Sequence, residues 1–310
     1  MNTFGRNFTF TSFGESHGEA VGGVIDGVPA RFKIDFESIR HDLERRAGKH
    51  TILPHSARAD HEIDEIDWLS GIQDGMTLGT PIAFLIRNSN QRSQDYEHLK
   101  EVFREGHADW VYEQKYGIRD YRGGGRASAR ETVARVVAGN IAKQILQQKG
   151  IMIEAELVQI GKQTNPALFA DYLKEIQQQG DSIGGIIQCR VRGLEVGTGE
   201  PIFDKLQARL AYAILSINAC KGFDYGSGFE GVAKKGSEIN AFSGGIIGGI
   251  SDGTDIVFRC VFKPTPTTPL SLQKLGITAP IRSDVCVAVR AVPIVEAMTA
   301  LVLVDYQQFR

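Results

Sequence analysis

A ten-residue segment, GGGRASARET at 123–132, combines flexible backbone with side chains that bind anions. It directly follows YGIRDYR, so four arginines fall within twelve positions around three consecutive glycines. A helical pattern comes next, and a helix N-terminus attracts anions, while arginine offers a planar fork for phosphate or carboxylate oxygens. If the helix begins in this loop, Arg126 and Arg130 share one of its faces, with the Ser128 hydroxyl nearby. The pattern therefore predicts an anion site, with a solvated loop and surface ion pairs as the alternative.

Two histidines lie in turns bordered by glycine. His17 belongs to SFGESHGEAVGG, between two predicted strands, and His107 belongs to FREGHADW, beside Arg104 and Asp109. Because histidine exchanges protons near neutral pH, each is a candidate general acid, although each pattern is equally typical of an ordinary turn. The seven histidines show no HxH or HExxH spacing, and HSARADHEID at 55–64 is more typical of a polar loop than of a metal site.

Three segments nearer the C-terminus bring further candidates. GGIIGGISDG at 244–253 leaves bare backbone in apolar surroundings, which indicates either the close approach of a ligand or a β-bulge or tight hairpin. KPTPTTP is a stiff extended segment that begins at Lys263, and IRSDVC places Arg282 beside Asp284. By contrast, GSGFEG at 226–231 matches the letters of a dinucleotide-binding loop, but we expect it to follow a helix and to lack the long helix that such a fold requires.

The elements that must position these residues alternate between strands and helices. Apolar patterns predict strands at 8–13, 21–25, 81–87, 186–192 and 255–263, with 81–87 paired to the segment near Trp68. Helices are predicted from an N-cap at Asp35 to Gly48, from the glycine loop to Gly150, over 202–219, and after CVAVRAV with Pro293 in the first turn. This alternation predicts one α+β domain, a layered β-α-β arrangement, over residues 1–310.

Composition limits the classes of function. The net charge is −2, so an anion site must be local, and no aromatic-rich basic stripe of a nucleic-acid-binding module accompanies the arginines. No apolar run approaches the roughly 18 residues of a membrane span, and the N-terminus does not resemble a signal peptide. The four cysteines form no CxxC pair, which favours reduced thiols and a cytoplasmic location.

Six segments, in their order along the chain, resemble the chorismate synthase family: SFGESHG, GHADWVYEQKYGIRDYRGGGRASARET, SINACKG, GGIIGGIS, KPTP and RSDVCVAVRAVP. The resemblance covers essentially the whole chain. It implies a β-α-β sandwich of the family's own type, assembled as a homotetramer. It also implies 1,4-anti elimination of phosphate from 5-enolpyruvylshikimate-3-phosphate (EPSP) to give chorismate, the last step of the shikimate pathway, with reduced FMN required although no net redox change occurs.

The resemblance also implies roles for individual residues. His17 would protonate the reduced flavin, His107 would assist the departing phosphate, and Asp284 would help remove the C6 proton through the flavin N5. Both histidines would act as acids near neutral pH. Arg46 matches an arginine on the substrate or nucleotide side, and Arg130 would face the substrate. The implied FMN-binding positions are Arg126, Ala127, Ser128, Asn218, Ala219, Gly248, Lys263, Pro264, Thr265, Pro266, Thr267 and Arg282.

The chain also departs from the family pattern. Family members are usually several tens of residues longer, and this chain is trimmed around 162–171, 237–244 and 266–281 and at its C-terminal tail. The trimmed loops leave a second hypothesis open, a paralogue that binds flavin or a phosphorylated ligand without turnover. Nothing in the chain resembles an NADPH-dependent reductase domain, so we expect an external flavin reductase to supply reduced FMN.

Overall fold

Two antiparallel β-sheets form the outer layers of the structure, a computed structural model that describes residues 1–55, 64–89, 100–237, 242–274 and 283–307. In spatial order, the first sheet contains β1 (Thr3–Phe4), β2 (Thr9–Gly14), β3 (Ala20–Asp26), β7 (Ile82–Arg87) and β4 (Ile66–Trp68). Its β-branched and aromatic residues alternate between a buried and a partly exposed face, as in β7, where Ile82, Phe84 and Ile86 are buried. The three strands predicted in this region are confirmed, as is the pairing of 81–87 with the segment at Trp68.

The second sheet contains, in spatial order, β10 (Cys220–Tyr225), β13 (Ile256–Phe262), β9 (Gly185–Arg192) and β8 (Met152–Ile160). Every second side chain of β9 and β13 is buried, which confirms the strands predicted at 186–192 and 255–263. Two short hairpins complete the strands, β5 (Ile72–Gln73) with β6 (Met76–Thr77), and β11 (Ile246–Ile247) with β12 (Ile250–Ser251).

The two longest of the described helices lie between the sheets. The described helices are α1 (Phe36–Ala47), α2 (Asp109–Tyr116), α3 (Thr132–Gln147), α4 (Phe169–Gln178), α5 (Leu206–Leu215), α6 (Pro269–Lys274) and α7 (Ala288–Gln307). Helix α3 packs on the first sheet, α7 packs on the second, and the two helices pack closely on each other. The predicted α+β class and layered β-α-β arrangement are therefore confirmed. Helix α1 also has its predicted caps, since the Asp35 side chain accepts from the Ser38 N–H and Gly48 ends the helix with a left-handed conformation.

Two of the predicted helices have wrong boundaries. The helix predicted over 202–219 spans only Leu206–Leu215, because the chain turns before it at Asp204 and Ala219 has a φ of +65°, which a right-handed helix does not accommodate. The last helix begins at Ala288, so CVAVRAV contributes residues to it and Pro293 lies inside it rather than in its first turn. This helix is buried on nearly all sides and therefore lacks a polar face. Its first, valine-rich residues consequently resemble a buried strand in the sequence.

Among the described residues, no helix combines the length and the apolar character that crossing a lipid bilayer would require.

Candidate active site

A cavity of about 730 Å³ lies where the glycine loop at 123–132, the turn at 104–109, the segment 263–267 and the beginning of α7 meet. Within the described part of the chain, cationic side chains outnumber carboxylates on its lining by seven to three: Arg46, Arg104, Arg126, Arg130, Arg135, Lys263 and Arg290 against Asp109, Glu131 and Asp284. Apolar side chains, among them Val287, Ile294 and Met298, complete the lining. In a chain of net charge −2, this concentration of positive charge marks a local anion site with an apolar surface beside it.

The glycine loop does not open directly into an α-helix. Gly123, Gly124 and Gly125 all have positive φ, and 3-10 turns at Gly125–Ala127 and Ala129–Glu131 follow before α3 begins at Thr132. The prediction that Arg126 and Arg130 share one helix face is therefore wrong, because Ser128 between the two turns is extended. Positive φ at three successive positions explains the glycine triplet, since other residues reach that conformation only with strain.

The two arginines of this loop point to different parts of the first sheet. The Arg126 guanidinium donates to the Ser12 hydroxyl at 2.6 Å and to the Gly14 carbonyl at 3.3 Å. Arg130, which is buried, donates through Nε to the Asn88 side-chain oxygen at 3.0 Å and forms an ion pair with Asp64 at 2.5 Å. Both guanidiniums are thus held in fixed positions on the cavity wall.

The turn that carries His107 is fastened to the segment 263–267. His107 Nε2 lies 2.7 Å from the Thr267 hydroxyl oxygen, and Lys263 donates to the Gly106 carbonyl at 2.9 Å. Arg104 binds the buried Asp109 carboxylate with both Nε and Nη2 at 2.8 Å, which fixes the turn at the start of α2. Burial, reinforced by the neighbouring Arg104, lowers the pKa of His107 to about 4. Burial thus favours the neutral form of His107 in the ligand-free protein, and its role as an acid stays a prediction.

Asp284 lies on the cavity lining close to the N-terminal end of α7. Its carboxylate accepts from Arg290 at 3.3 Å, and its backbone carbonyl accepts from the Thr265 hydroxyl at 3.0 Å. Arg290 also donates to the Arg46 carbonyl at 2.8 Å, so it joins Asp284 to the end of α1. The arrangement presents one oriented carboxylate among cationic groups, which suits proton transfer beside a bound anion.

The chain resembles chorismate synthases along almost its whole length. The model of the family described as chorismate synthase matches residues 8–307. The chain is 47% identical to the chorismate synthase of Christiangramia forsetii over 347 aligned positions, which cover 98% of this chain and 97% of the relative. It is 45% identical to the chorismate synthase of Bacteroides thetaiotaomicron, over 99% of this chain and 97% of that relative. A solved structure described as a crystal structure of chorismate synthase matches with a TM-score of 0.76 at 29% identity, over 98% of this chain and 92% of that chain.

The chain belongs to the chorismate synthase family. It is accordingly an enzyme of the phosphate-lyase type. The alignment with the Christiangramia forsetii protein has 347 positions, more than the 310 residues of this chain. This chain therefore has deletions compared with that protein, as the sequence predicts.

Most of the residues predicted for the site of this chorismate synthase family member line the cavity described above. Those that do are His107, Asp284, Arg46, Arg130, Arg126, Ala127, Ser128, Asn218, Ala219, Lys263, Pro264, Thr265, Pro266 and Thr267. Asn218 also braces the glycine loop, since its side-chain amide donates to the Ala127 carbonyl at 2.9 Å. Arg282 lies outside the described residues, as do most residues of the polar loop at 55–64.

His17 does not line the cavity. It is buried, with 3% of its surface exposed, and its ring packs behind Gly123, whose backbone does line the cavity. A Cβ added to Gly123 would lie 2.3 Å from His17 Cδ2 and 2.5 Å from Nε2. The glycine triplet thus lets the loop approach the imidazole more closely than any side chain would permit.

Gly248 also lies away from the cavity lining. It is exposed and forms, with Gly249, the turn of the β11–β12 hairpin, where both residues have positive φ. The hairpin interpretation of GGIIGGISDG is confirmed. The nearby GSGFEG segment follows strand β10, so the expectation that it follows a helix is wrong, and it continues as a 3-10 turn at Gly228–Ala233.

Several residues on or behind the cavity wall were not predicted as site residues from the sequence. Arg290 is the one charged residue of VCVAVRAVP. A charge inside such an apolar run is buried only when it is paired, so its position could have indicated an ion pair at the site. Arg135 pairs with Glu131 at 2.8 Å, a spacing of four residues that also could have been noticed. Asp64, which reaches both Arg46 and Arg130 from outside the glycine loop, carried no local signal at all.

Proposed function

We propose that this protein eliminates phosphate from EPSP by a 1,4-anti route, gives chorismate, and requires reduced FMN. The observation that supports the proposal most strongly is the cavity, which gathers an excess of cationic side chains beside an apolar surface in a chain of the chorismate synthase family. EPSP carries a phosphate and two carboxylates, and FMN adds a further phosphate. Such a set of anions shares one site only where fixed cations offset their mutual repulsion.

The residues around the cavity fit a flavin mononucleotide. A volume of about 730 Å³ lies within the range of about 300–1,000 Å³ that is usual for small-molecule sites. Val287, Ile294 and Met298 offer apolar contact for a flat ring system, and Arg126 and Ser128 would hold its anionic end. When bound, reduced FMN supplies transient electron density to the substrate.

The substrate's anionic groups are assigned to Arg46 and Arg130. Both guanidiniums line the cavity and are held from behind, so they are already oriented where negative charge develops as phosphate departs. His107 is neutral in the ligand-free protein, and a phosphate dianion beside it favours the imidazolium and raises its pKa. In this charged form His107 donates a proton or a strong hydrogen bond to the departing phosphate.

Asp284 is assigned to the removal of the C6 proton, since Arg290 orients its carboxylate at the cavity and Thr265 holds its backbone carbonyl. His17 is assigned as the second acid. Because Gly123 stands between His17 and the cavity, this role requires the glycine loop to shift when the ligands bind. The remaining FMN assignments at 263–267, Asn218 and Ala219 rest on their position along the same cavity, whereas Gly248 would need a contact from outside it.

An anaerobic assay with EPSP and photoreduced FMN tests the proposal. Wild-type protein should release inorganic phosphate and form chorismate, which a phosphate assay and ultraviolet absorbance both record. The deletions relative to longer relatives support one rival, a protein that binds flavin or a phosphorylated ligand without turnover. Binding of FMN without phosphate release at saturating flavin would establish that rival and reject the proposed reaction.

We also propose that the protein forms a homotetramer and receives its reduced FMN from a separate flavin reductase. Light scattering coupled to size exclusion tests the first point, and a molar mass other than four times that of the 34.0 kDa chain would reject it. For the second, NADPH with oxidised FMN should support turnover only after a flavin reductase is added.

A further inference from the structure

The buried carboxylate of Asp64 lies between the two arginines assigned to the substrate. Its Oδ1 is 2.5 Å from Arg130 Nη1, and its Oδ2 is 3.3 Å from Arg46 Nη1. All three side chains are buried, with 4% of Asp64, 4% of Arg46 and 6% of Arg130 exposed. One carboxylate therefore bridges two guanidiniums that come from different elements, the end of α1 and the turn before α3.

We infer that Asp64 is a positioning residue, which holds Arg46 and Arg130 in the orientation that binds the anionic groups of the substrate. The inference rests on the proposed function for the identity of the substrate, and on the structure for the geometry. Both arginines line the cavity and Asp64 does not, so the carboxylate acts on them from behind.

Residues of the first sheet and its ends surround the Asp64–Arg130 pair. Asp64 lies two residues before strand β4, whose Ile66 pairs with Ile86 of β7, and residues at the end of β7 bind the same arginine. Asn88 accepts from Arg130 Nε at 3.0 Å, and the Arg87 carbonyl accepts from Arg130 Nη2 at 3.4 Å. The end of β7 thus holds Arg130 from one side while Asp64, two residues before β4, holds it from another.

Electrostatics explains why such a bridge is needed. Two guanidiniums in a buried, low-dielectric setting repel each other and would move apart or draw in solvent. One shared carboxylate offsets this repulsion, fixes the separation of the two groups, and still leaves the set of three with a net positive charge. The set is therefore stable without a ligand and remains attractive to an anion.

Three readings of Asp64 predict different behaviour when its charge is removed. If it only balances charge, Asp64→Asn should bind anions more tightly, because the net charge of the set rises. If it only supports folding, stability should fall while anion affinity in the folded protein stays the same. If it positions the arginines, anion binding should weaken in protein that is still folded.

The test compares Asp64→Asn with Asp67→Asn, a matched control three residues away whose exposed carboxylate pairs with exposed Arg87 at 3.2 Å. Inorganic phosphate is titrated by calorimetry, and near-ultraviolet circular dichroism checks that each variant is folded. We expect phosphate affinity to fall at least tenfold in Asp64→Asn and to stay within twofold of wild type in Asp67→Asn. With EPSP, KM should rise in Asp64→Asn by a larger factor than kcat falls.

Phosphate affinity that is unchanged or higher in folded Asp64→Asn would overturn the inference, as would a wild type that does not bind phosphate. Should Asp64→Asn not fold, Asp64→Glu keeps the charge but moves the carboxylate by one methylene, and it should bind phosphate at least threefold more weakly. Wild-type affinity in that variant would also overturn the inference. A wild type that binds phosphate but does not convert EPSP would reject the proposed function alone.

Discussion

Replacing Gly123 by alanine should disturb the site through His17. Gly123 has a φ of +62°, and the added Cβ would lie 2.3 Å from His17 Cδ2 and 3.1 Å from the Ser16 hydroxyl oxygen. Carbon atoms in contact normally stand about 3.5–4.0 Å apart, so the loop or the imidazole must move by more than about 1 Å. His17 is buried, which leaves the ring little room to withdraw.

Gly124→Ala is the matched control for the size of this effect. Gly124 also has a positive φ, +86°, but the nearest atom to its added Cβ is the flexible end of Arg104, Nη2 at 3.3 Å. Both variants carry the strain of a left-handed alanine, about 1–2 kcal/mol. Gly123→Ala adds the cost of overpacking, typically about 1–3 kcal/mol. The free energy of unfolding should therefore be lower in Gly123→Ala than in Gly124→Ala by about 1–3 kcal/mol.

Urea unfolding followed by circular dichroism measures this difference, and the imidazole NMR signals of His17 report displacement of the ring. FMN affinity should fall further in Gly123→Ala, because Arg126 belongs to the displaced loop. Equal stabilities of the two variants, together with unchanged His17 signals in Gly123→Ala, would refute the contact between the glycine loop and the histidine.

Three further predictions concern the helix layer and the cavity. Gly139→Ala should lower the free energy of unfolding by about 3 kcal/mol, because the new Cβ would lie 2.3 Å from the Cβ of Ala297. The control, Gly236→Ala, has open space around the new Cβ and should change the free energy of unfolding little. Similar urea midpoints for the two variants would contradict this prediction. Burial lowers the pKa of His107 to about 4, below its ordinary value. Between about pH 6.5 and 4 the folded protein therefore binds fewer protons than the unfolded chain. The folded protein should lose stability as the pH falls through this window. An NMR titration should give this low pKa, and added inorganic phosphate should raise it; a ligand-free value near 6.5 would disprove the burial effect. Arg126→Ala should weaken FMN binding by about 1–3 kcal/mol, the scale of a lost charged hydrogen bond, in a fluorescence titration, and unchanged affinity would show that Arg126 does not hold the cofactor.

The fold was predictable wherever local signals agree with burial. Helix α1 has a capping Asp35 and a terminating Gly48, and strands such as β13 alternate strictly between faces, so sequence and structure coincide. The sequence also predicts a last helix but places its start near Pro293 rather than at Ala288, since a helix buried on nearly all sides loses the amphipathic period by which helices are recognised. The valines before Pro293 favour a strand locally, and packing of the helix against α3 and the second sheet decides otherwise.

The site was predictable to the extent that its residues are close in sequence. The glycine loop, the His107 turn and the segment from Lys263 each carry a short pattern, and the structure brings all three to one cavity. What joins them is not local. Lys263 reaches Gly106 and Asp64 reaches Arg130 across separate elements, and a single sequence holds no periodicity or spacing that predicts such contacts.

The cavity differs from an ordinary basic surface patch in how its charges are held. Buried carboxylates fix arginines of its lining. Asp64 pairs with Arg130 from behind the cavity wall, while Asp109 and Glu131, which belong to the lining, pair with Arg104 and Arg135. A surface patch would attract anions through mobile side chains, and salt would screen that attraction. Here the guanidiniums are oriented before a ligand arrives, so less conformational entropy is lost on binding and the charges are less exposed to screening. A loop of three glycines serves the same end, since it brings backbone to the cavity without adding side chains that would have to move aside.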